Sequence, residues 1–423
     1  MSSSQTTCRP PASPGAPGRP CAPEPPPRRA GLGSRFAGVW ASAAATNAAD
    51  GVRLAALPLL ATALTRDPRL IAGLTVAGTL PWLLLSIPAG VLVDRVDRRS
   101  ALLFTAAARA VVLGVVTLAV AGGHVTLPLL YLAAFLLGAG EVVFDNVAQT
   151  LVPSLVGAGA LDRANARLHV SEVAGNDIAG PGLGGLLYAA AAAAPFALGT
   201  ACYAGAAALV LRLDGTFRPA RGAGPGISAT AEMVEGVRWL RHQPVLRRLA
   251  WIAGAVMLLN SAATAVLVLF AKQDLGLGDA GYGALLSATM GGFLLGGAVA
   301  PRLRRHLPLN RALAAVIAVA ATSQFAVGLT SRPVATAAAL ACGTAAFGTA
   351  SILLVGVRQT LVPDRLLGRV NGLYRFCGLG AVPIGAALGG VLASAHGVRA
   401  PFLLGGAAML VVAAAAARLP RGA

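Results

Sequence analysis

Twelve apolar runs divide the chain, and short polar clusters separate them. They lie at 36–64, 70–93, 101–121, 127–148, 167–190 and 195–213, then at 249–270, 280–300, 312–330, 333–356, 370–394 and 399–417. A helix of about 20 residues crosses about 30 Å of hydrocarbon at about 1.5 Å per residue. Many of these runs carry no charge over that length. The pattern predicts an all-α membrane protein with twelve transmembrane helices.

Composition supports that reading. Apolar residues make up 56% and charged residues 12% of the 423 residues, and mean hydropathy is +0.72. Soluble globular chains carry about 25% charged residues. Residues 1–34 are rich in proline and lack an apolar run, so they read as a disordered tail without a signal peptide. Residues 214–248 form a central loop, whose 231–248 stretch is patterned as an amphipathic surface helix, and 418–423 form a second tail.

The net charge of +18 raises the possibility of nucleic-acid binding, and its placement argues against it. Arg66, Arg69, Lys272, Arg332 and Arg399 fall on one side of the expected bilayer. Arg53, Arg109 and Arg375 lie within spans, and the remaining basic residues cluster on the side of both chain ends. The positive-inside rule then predicts both termini cytoplasmic, and a multi-pass protein of the plasma or inner membrane is expected. The five cysteines and five histidines show no zinc spacing, and no metal or cofactor is expected.

The chain repeats itself. QTLVP at 149–153 returns at 359–363. LDRANARL at 161–168 is echoed by LGRVNGLY at 367–374, and GPGLGG at 180–185 by PIGAALGG at 383–390. GVLVDRVDRR from Gly90 has a degraded copy, GAVAPRLRR, from Gly297. One six-span unit has been duplicated in parallel orientation, which predicts bundles at 35–213 and 249–417 with a substrate path between them.

Two of these motifs resemble those of a known family. In the loop between spans 2 and 3, Gly90, Asp94, Arg95, Arg98 and Arg99 match the signature loop of the major facilitator superfamily, with Asp97 where a second glycine is usual. In span 5, Gly180, Pro181, Gly184 and Gly185 match that superfamily's antiporter motif, with Asn176 where it has a further glycine. The chain looks most similar to the branch exporting macrolides, other drugs and siderophores. The resemblance implies a cytoplasmic latch in which Asp94 meets the N-terminal end of span 11, and a leak-tight interface along span 5. Pro301 replaces the acid in the copied loop, so the latch is one-sided.

Ionisable residues inside spans each require a reason, because a central charge costs at least about 2.5 kcal/mol on insertion. The first half holds Asp50, Arg53, Arg109, Glu141, Asp145, Glu172 and Asp177, and the second mainly Arg375. In the copied span 4, Ser351 stands for Glu141 and Val355 for Asp145. Proton coupling is therefore expected in the first half. Asn47, Asp50 and Arg53 share helical spacing. Arg109 and Glu141 lie at matching depths, which predicts that they pair, with Asp145 reaching Arg98 or Arg95. Asn260, Ser261 and Thr264 of span 7 are expected to offer uncharged contacts in the cavity.

These features predict a monomeric secondary transporter that exports a drug-like or natural-product molecule in exchange for protons, rocking two bundles around a central site. No nucleotide-binding GxxxxGK[ST] is present, no residue is expected to be catalytic, and no nucleic-acid partner is expected. A siderophore exporter, an uptake carrier on the same fold, and a non-transporting sensor or scaffold are the alternatives. A membrane-embedded enzyme would need a nucleophile–base or metal constellation, and none is visible in the sequence.

Overall fold

In hydrocarbon a backbone must satisfy its own hydrogen bonds, so apolar runs of this length become helices. The computed structural model describes residues 33–93, 96–213, 217 and 238–419, with side chains left out at 86–93, 158, 359, 364–369, 371, 375 and 377. In the N-terminal half, α1 (Gly33–Leu64), α2 (Pro68–Val93), α3 (Arg98–Ala121) and α4 (Leu127–Leu155) are continuous. The fifth helix, α5, is α-helical over Leu161–Glu172, π-helical over Val173–Ala179 and α-helical again over Gly180–Ala190. α6 covers Ala194–Leu211.

The second half follows the same order. α7 is Pro244–Thr264 with a short continuation over Leu267–Gln273. Then come α8 (Asp279–His306), α9 (Leu309–Leu329), α10 (Pro333–Leu361), α11 (Asp364–His396) and α12 (Ala400–Ala417). Ten of these twelve are long and apolar enough to cross a membrane. The other two are α1, which carries Asp50 and Arg53, and α5, which the π-helical stretch interrupts.

Several helices outrun their apolar runs. α1 takes in Gly33 and Ser34, the last two residues assigned to the tail, and α7 begins at Pro244 rather than 249. α4 carries its copy of QTLVP inside the helix, whereas α10 stops at Leu361 and Pro363 caps α11. Proline lacks the N–H that would continue the ladder, which suits it to a helix start. Of the amphipathic stretch 231–248, residues 231–237 lie outside the described residues, as do 1–32 and 420–423 of the tails.

Packing repeats with the sequence. In the first half α1 packs on α5 and α6, α3 on α4 and α6, and α2 on α4. In the second half α7 packs on α11 and α12, α9 on α10 and α12, and α8 on α10. Two further contacts, α2 with α11 and α5 with α8, join the halves and are related by the same repeat. Even the end bonds correspond. Arg99 at the start of α3 donates to the Val210 and Leu211 carbonyls at the end of α6, at 3.3 and 2.8 Å. Asn310 at the start of α9 donates to the Ala417 and Leu419 carbonyls beyond α12, at 3.1 and 3.2 Å. Both satisfy carbonyls that a helix C-terminus leaves without partners.

The two ends of the molecule differ. Here the near face is where α1 starts and α12 ends, and the far face is opposite. At the far end one hydrophobic core is shared by both halves, with Leu57, Leu59 and Phe196 beside Leu267, Phe270 and Phe402. Toward the near face the cores separate, one confined to the second half around Leu249, Leu313 and Val357, another to the first around Val39, Phe144 and Val210. Lys272 clasps the far end: its Nζ lies 2.7 Å from Asp279 Oδ1 of α8 and 3.3 Å from Thr62 Oγ1 of α1. The halves are thus joined at the far face.

Candidate functional site: a buried charge network and a central cavity

α1 presents Asp50 and Arg53 one turn apart, and Arg53 Nε donates to Asp50 Oδ1 at 2.8 Å. The other end of the same guanidinium bonds Glu141 of α4. Asp50 also accepts from Arg109 of α3 and, at 2.8 Å, from the Tyr203 hydroxyl of α6. Arg109 lies over the Tyr203 ring, 4.3 Å from its centroid, and donates to its hydroxyl at 2.8 Å. Two carboxylates and two guanidiniums from three helices therefore balance to zero net charge, with Asp50 as the shared acceptor. Burial deepens inward: Glu141 is 21% exposed, Arg53 13%, Asp50 5% and Arg109 2%. Charges this buried are tolerated only when paired and hydrogen-bonded.

The expected Arg109–Glu141 pair is not formed. Arg109 passes over α4 to reach α1, and Gly140 makes the room, since a Cβ there would lie 2.7 Å from Arg109 Cγ and Cδ. Arg53 takes Glu141 instead. Equal depth set the two residues at one height, but the direction in which each side chain leaves its helix decided the partners. Asp145 does not reach Arg98, which donates to the Thr150 carbonyl at 3.2 Å. Its other candidate partner, Arg95, lies outside the described residues, as does Asp94. Gly90 belongs to α2, in the part whose side chains are outside the description, so the latch with the start of α11 lies there too. Asp97, where the superfamily motif has glycine, is the N-cap of α3. It accepts from Ser100 N at 3.0 Å and Ser100 Oγ at 2.9 Å, and from Phe217 N at 2.8 Å.

Between the halves lies a cavity of about 490 Å³. Asp177, from the π-helical stretch of α5, is the only charged residue that lines it among the described residues. Asn260 and Thr264 of α7 and Gln324 of α9 supply polar groups, and Phe293, Phe347 and Met290 supply much of the apolar wall. Ser261 turns away, donating to the Val382 carbonyl of α11 at 2.7 Å. Asp50, Arg53, Arg109 and Glu141 do not line this cavity; they form a separate network inside the first half. Asn47 is half-buried at the crossing of α1 and α5, against the backbone of Gly175.

The four residues of the span-5 motif divide between two interfaces. A Cβ at 180 would lie 2.7 Å from the Gly51 carbonyl carbon, and one at 184 would lie 3.1 Å from that of Val52, both on α1. A Cβ at 185 would lie 2.7 Å from Gly283 Cα on α8, and one at 283 would lie 2.6 Å from the Pro181 carbonyl oxygen. Ser287 Oγ of α8 adds a 2.6 Å bond to the Ile178 carbonyl, left accessible in the π-helical stretch. Removing side chains lets helix backbones approach closely, as small residues do throughout membrane interfaces. Here the same motif ties α5 to its own half and to the other.

The sequence reading missed Tyr203 and Gly140. Tyr203 is one of five tyrosines in the chain, and its height in α6 was the available signal.

A family model described as transmembrane secretion effector matches residues 32–422. A multidrug efflux pump, Tap, of Mycolicibacterium fortuitum is 30% identical over 400 residues, covering 90% of this chain and 94% of the relative. An uncharacterised major facilitator-type transporter of Sinorhizobium fredii, y4rN, is 28% identical over 382 residues, 87% of this chain and 91% of its own. Among solved structures, a point mutant of the nucleoside transporter NupG superposes with a TM-score of 0.73 at 12% identity, covering 90% of this chain and 98% of its own. A bacterial homologue of the iron transporter ferroportin, in an inward-facing state, superposes with a TM-score of 0.68 at 16% identity, over 90% and 96%. These last two are likenesses of fold. With a family match over nearly the whole chain and a duplicated twelve-helix architecture around a cavity, the chain belongs to the transmembrane secretion effector family of major facilitator transporters.

Proposed function

We propose that the protein exports a cationic, amphipathic drug-like or natural-product molecule in exchange for protons, by alternating access. One observation carries the reading: Asp177, the single carboxylate among the described residues on the mostly apolar wall of the cavity between the halves. A lone acid there gives a cation a partner, and the aromatic and thioether side chains accept the rest of the molecule. The likeness to a multidrug efflux pump favours export over uptake.

In this reading both termini are cytoplasmic, the near face is the inner face, and the molecule is closed outward. The bundles 35–213 and 249–417 rock about the seams between α2 and α11 and between α5 and α8, while 214–248 tethers them. One chain encloses the cavity, so a monomer suffices. The Asp50–Arg53–Glu141–Arg109 network serves as the proton-coupling element, since loading a proton on one of its acids frees an arginine to change partner. Asp145 and Asn47 border it on α4 and α1 as supporting positions. Asp94, Arg95, Arg98 and Arg99 act as the cytoplasmic latch.

The test is expression in an exporter-deficient host challenged with a panel of lipophilic cations, neutral drugs and siderophores, with and without a protonophore. Resistance to the cations, abolished by the protonophore and by Asp177→Asn at unchanged protein level, is the expected outcome. Resistance that survives Asp177→Asn removes that residue from the site. Protection confined to siderophores selects the alternative cargo. A pH jump imposed on reconstituted vesicles fixes the direction of transport. A protein without transport that keeps a partner-dependent phenotype after neutralisation of Asp177 would be a sensor or scaffold.

A further inference from the structure

A second cavity, of about 350 Å³, lies within the C-terminal half, toward the near face. It meets the central cavity at Val256 and Phe347, which line both. Its wall is apolar and aromatic, with Trp82 reaching in from α2, Ile252 and Met257 from α7, and Tyr374 from α11. Among the described residues one charged side chain lines it, Arg358, close to the end of α10. The guanidinium lies 4.5 Å from the Tyr374 ring centroid, and the Tyr374 hydroxyl donates to the Leu246 carbonyl, which holds the ring in place. Arg358 Nε is buried and unpartnered, and among the described residues no carboxylate pairs with this arginine.

The repeat gives this cavity a meaning. At the 210-residue offset of QTLVP, Ser351 stands where the first half has Glu141, and Arg358 where it has Ala148. At the 207-residue offset of Gly90 and Gly297, Met257 stands where the first half has Asp50. Ser351 and Met257 both line the second cavity. The first half therefore fills this region with a closed network of two acids and two arginines. The second half has lost the acids, left a space, and set an arginine at its edge with no counter-charge among the described residues. A half-buried guanidinium that stacks on a ring but has a buried Nε without a hydrogen-bond partner has given up part of its hydration, and an arriving anion recovers that cost.

We propose that this cavity is a second binding site, for an organic anion whose carboxylate or phosphate-type head meets Arg358 and whose apolar body lies against Trp82, Phe347 and Tyr374. A planar guanidinium binds such heads with two parallel hydrogen bonds, and the cavity's volume is in the range of about 300–1,000 Å³ typical of ligand sites. The site does not depend on Asp177 or on the direction of transport. The anion is either a soluble aromatic or aliphatic acid or an anionic lipid of the surrounding leaflet; the head chemistry is the same.

The full chain in phosphatidylcholine nanodiscs tests this. The probes are 11-(dansylamino)undecanoate and its methyl ester, read by energy transfer from tryptophan. The acid is expected to bind about tenfold or more tightly than the ester, the scale of one charge-assisted hydrogen bond. Arg358→Gln is expected to abolish that preference and Arg358→Lys to retain part of it. Ser351→Phe, which fills the cavity and leaves the arginine in place, is expected to weaken both probes; circular dichroism melts confirm that each variant is folded. Equal binding of acid and ester by the unaltered protein overturns the proposal, as does a preference that survives Arg358→Gln. Adding phosphatidylglycerol to the discs separates the sources: displacement of the acid supports a lipid-filled anion site, and undiminished binding supports a soluble anion.

Discussion

Asp50 is the residue on which the charge network turns. It accepts from Arg53, Arg109 and Tyr203 at once, whereas Glu141 accepts from Arg53 alone and sits nearer the surface. The two acids should therefore differ in what their loss does. Asp50→Asn leaves two guanidiniums short of a charge and is expected to cost about 3–5 kcal/mol, the scale of breaking a buried pair. Glu141→Gln keeps the Asp50 contacts and is expected to leave folding nearly intact while stopping proton-coupled efflux. Thermal unfolding of the purified variants, alongside efflux assays, reads both. An Asp50→Asn protein as stable as the parent would remove the network from the stability account. At this scale the sequence was half legible. Charges inside apolar spans marked Asp50, Arg53, Arg109 and Glu141 as candidates, but as two separate sets, Asp50 with Arg53 and Arg109 with Glu141. Counting residues along a helix gives height and not direction, so the pairing came out differently, and Tyr203 stood at a suitable height with nothing to show which way it faced.

Among the elements, α5 has the least regular geometry. Its π-helical stretch leaves the Ile178 carbonyl to Ser287 of the other half and bears Asp177 on the cavity wall. π-turns inside α-helices occur frequently at functional sites. Beyond it, Gly185 meets Gly283 at backbone distance. A side chain there must push α5 and α8 apart, at a cost of about 1–3 kcal/mol for overpacking. Gly185→Val is expected to abolish transport, leave each half folded, and raise the reactivity of cysteines introduced in the central cavity toward a reagent applied from the far side. Unchanged reactivity would mean that the seam does not seal. The GP-x-x-GG spacing was visible in the sequence, but its division between α1 and α8 was not, because a motif records which side chains are small and says nothing of which neighbour approaches. Asp97 makes the same point: a departure from the family pattern proved to be a helix cap whose other oxygen holds residue 217.

For the whole molecule, duplication was legible from QTLVP onward, and the described helices fall six to each half. The state of the transporter was not legible, since closure at one face depends on a balance between two arrangements of the same contacts. That balance is accessible through the far-face clasp. Lys272→Met removes the ion pair with Asp279 and the bond to Thr62, and both are partly exposed, so a shift of about 1 kcal/mol or less is expected. Cross-linking yields between cysteines placed on α1 and α7 at the far ends should fall several-fold, and identical yields would show that the apolar core alone holds the face shut. Asymmetry between the halves matters here too. The two acids of the buried network lie in the first half, whereas most of the residues lining the central cavity belong to the second.

Lys272 is also the sole lysine in the chain. An acylating reagent that modifies an ε-amine on this protein therefore removes the charge that holds the far-face clasp, and the mass of one adduct on the peptide containing Lys272 counts the molecules so unclasped without mutagenesis or a fluorophore.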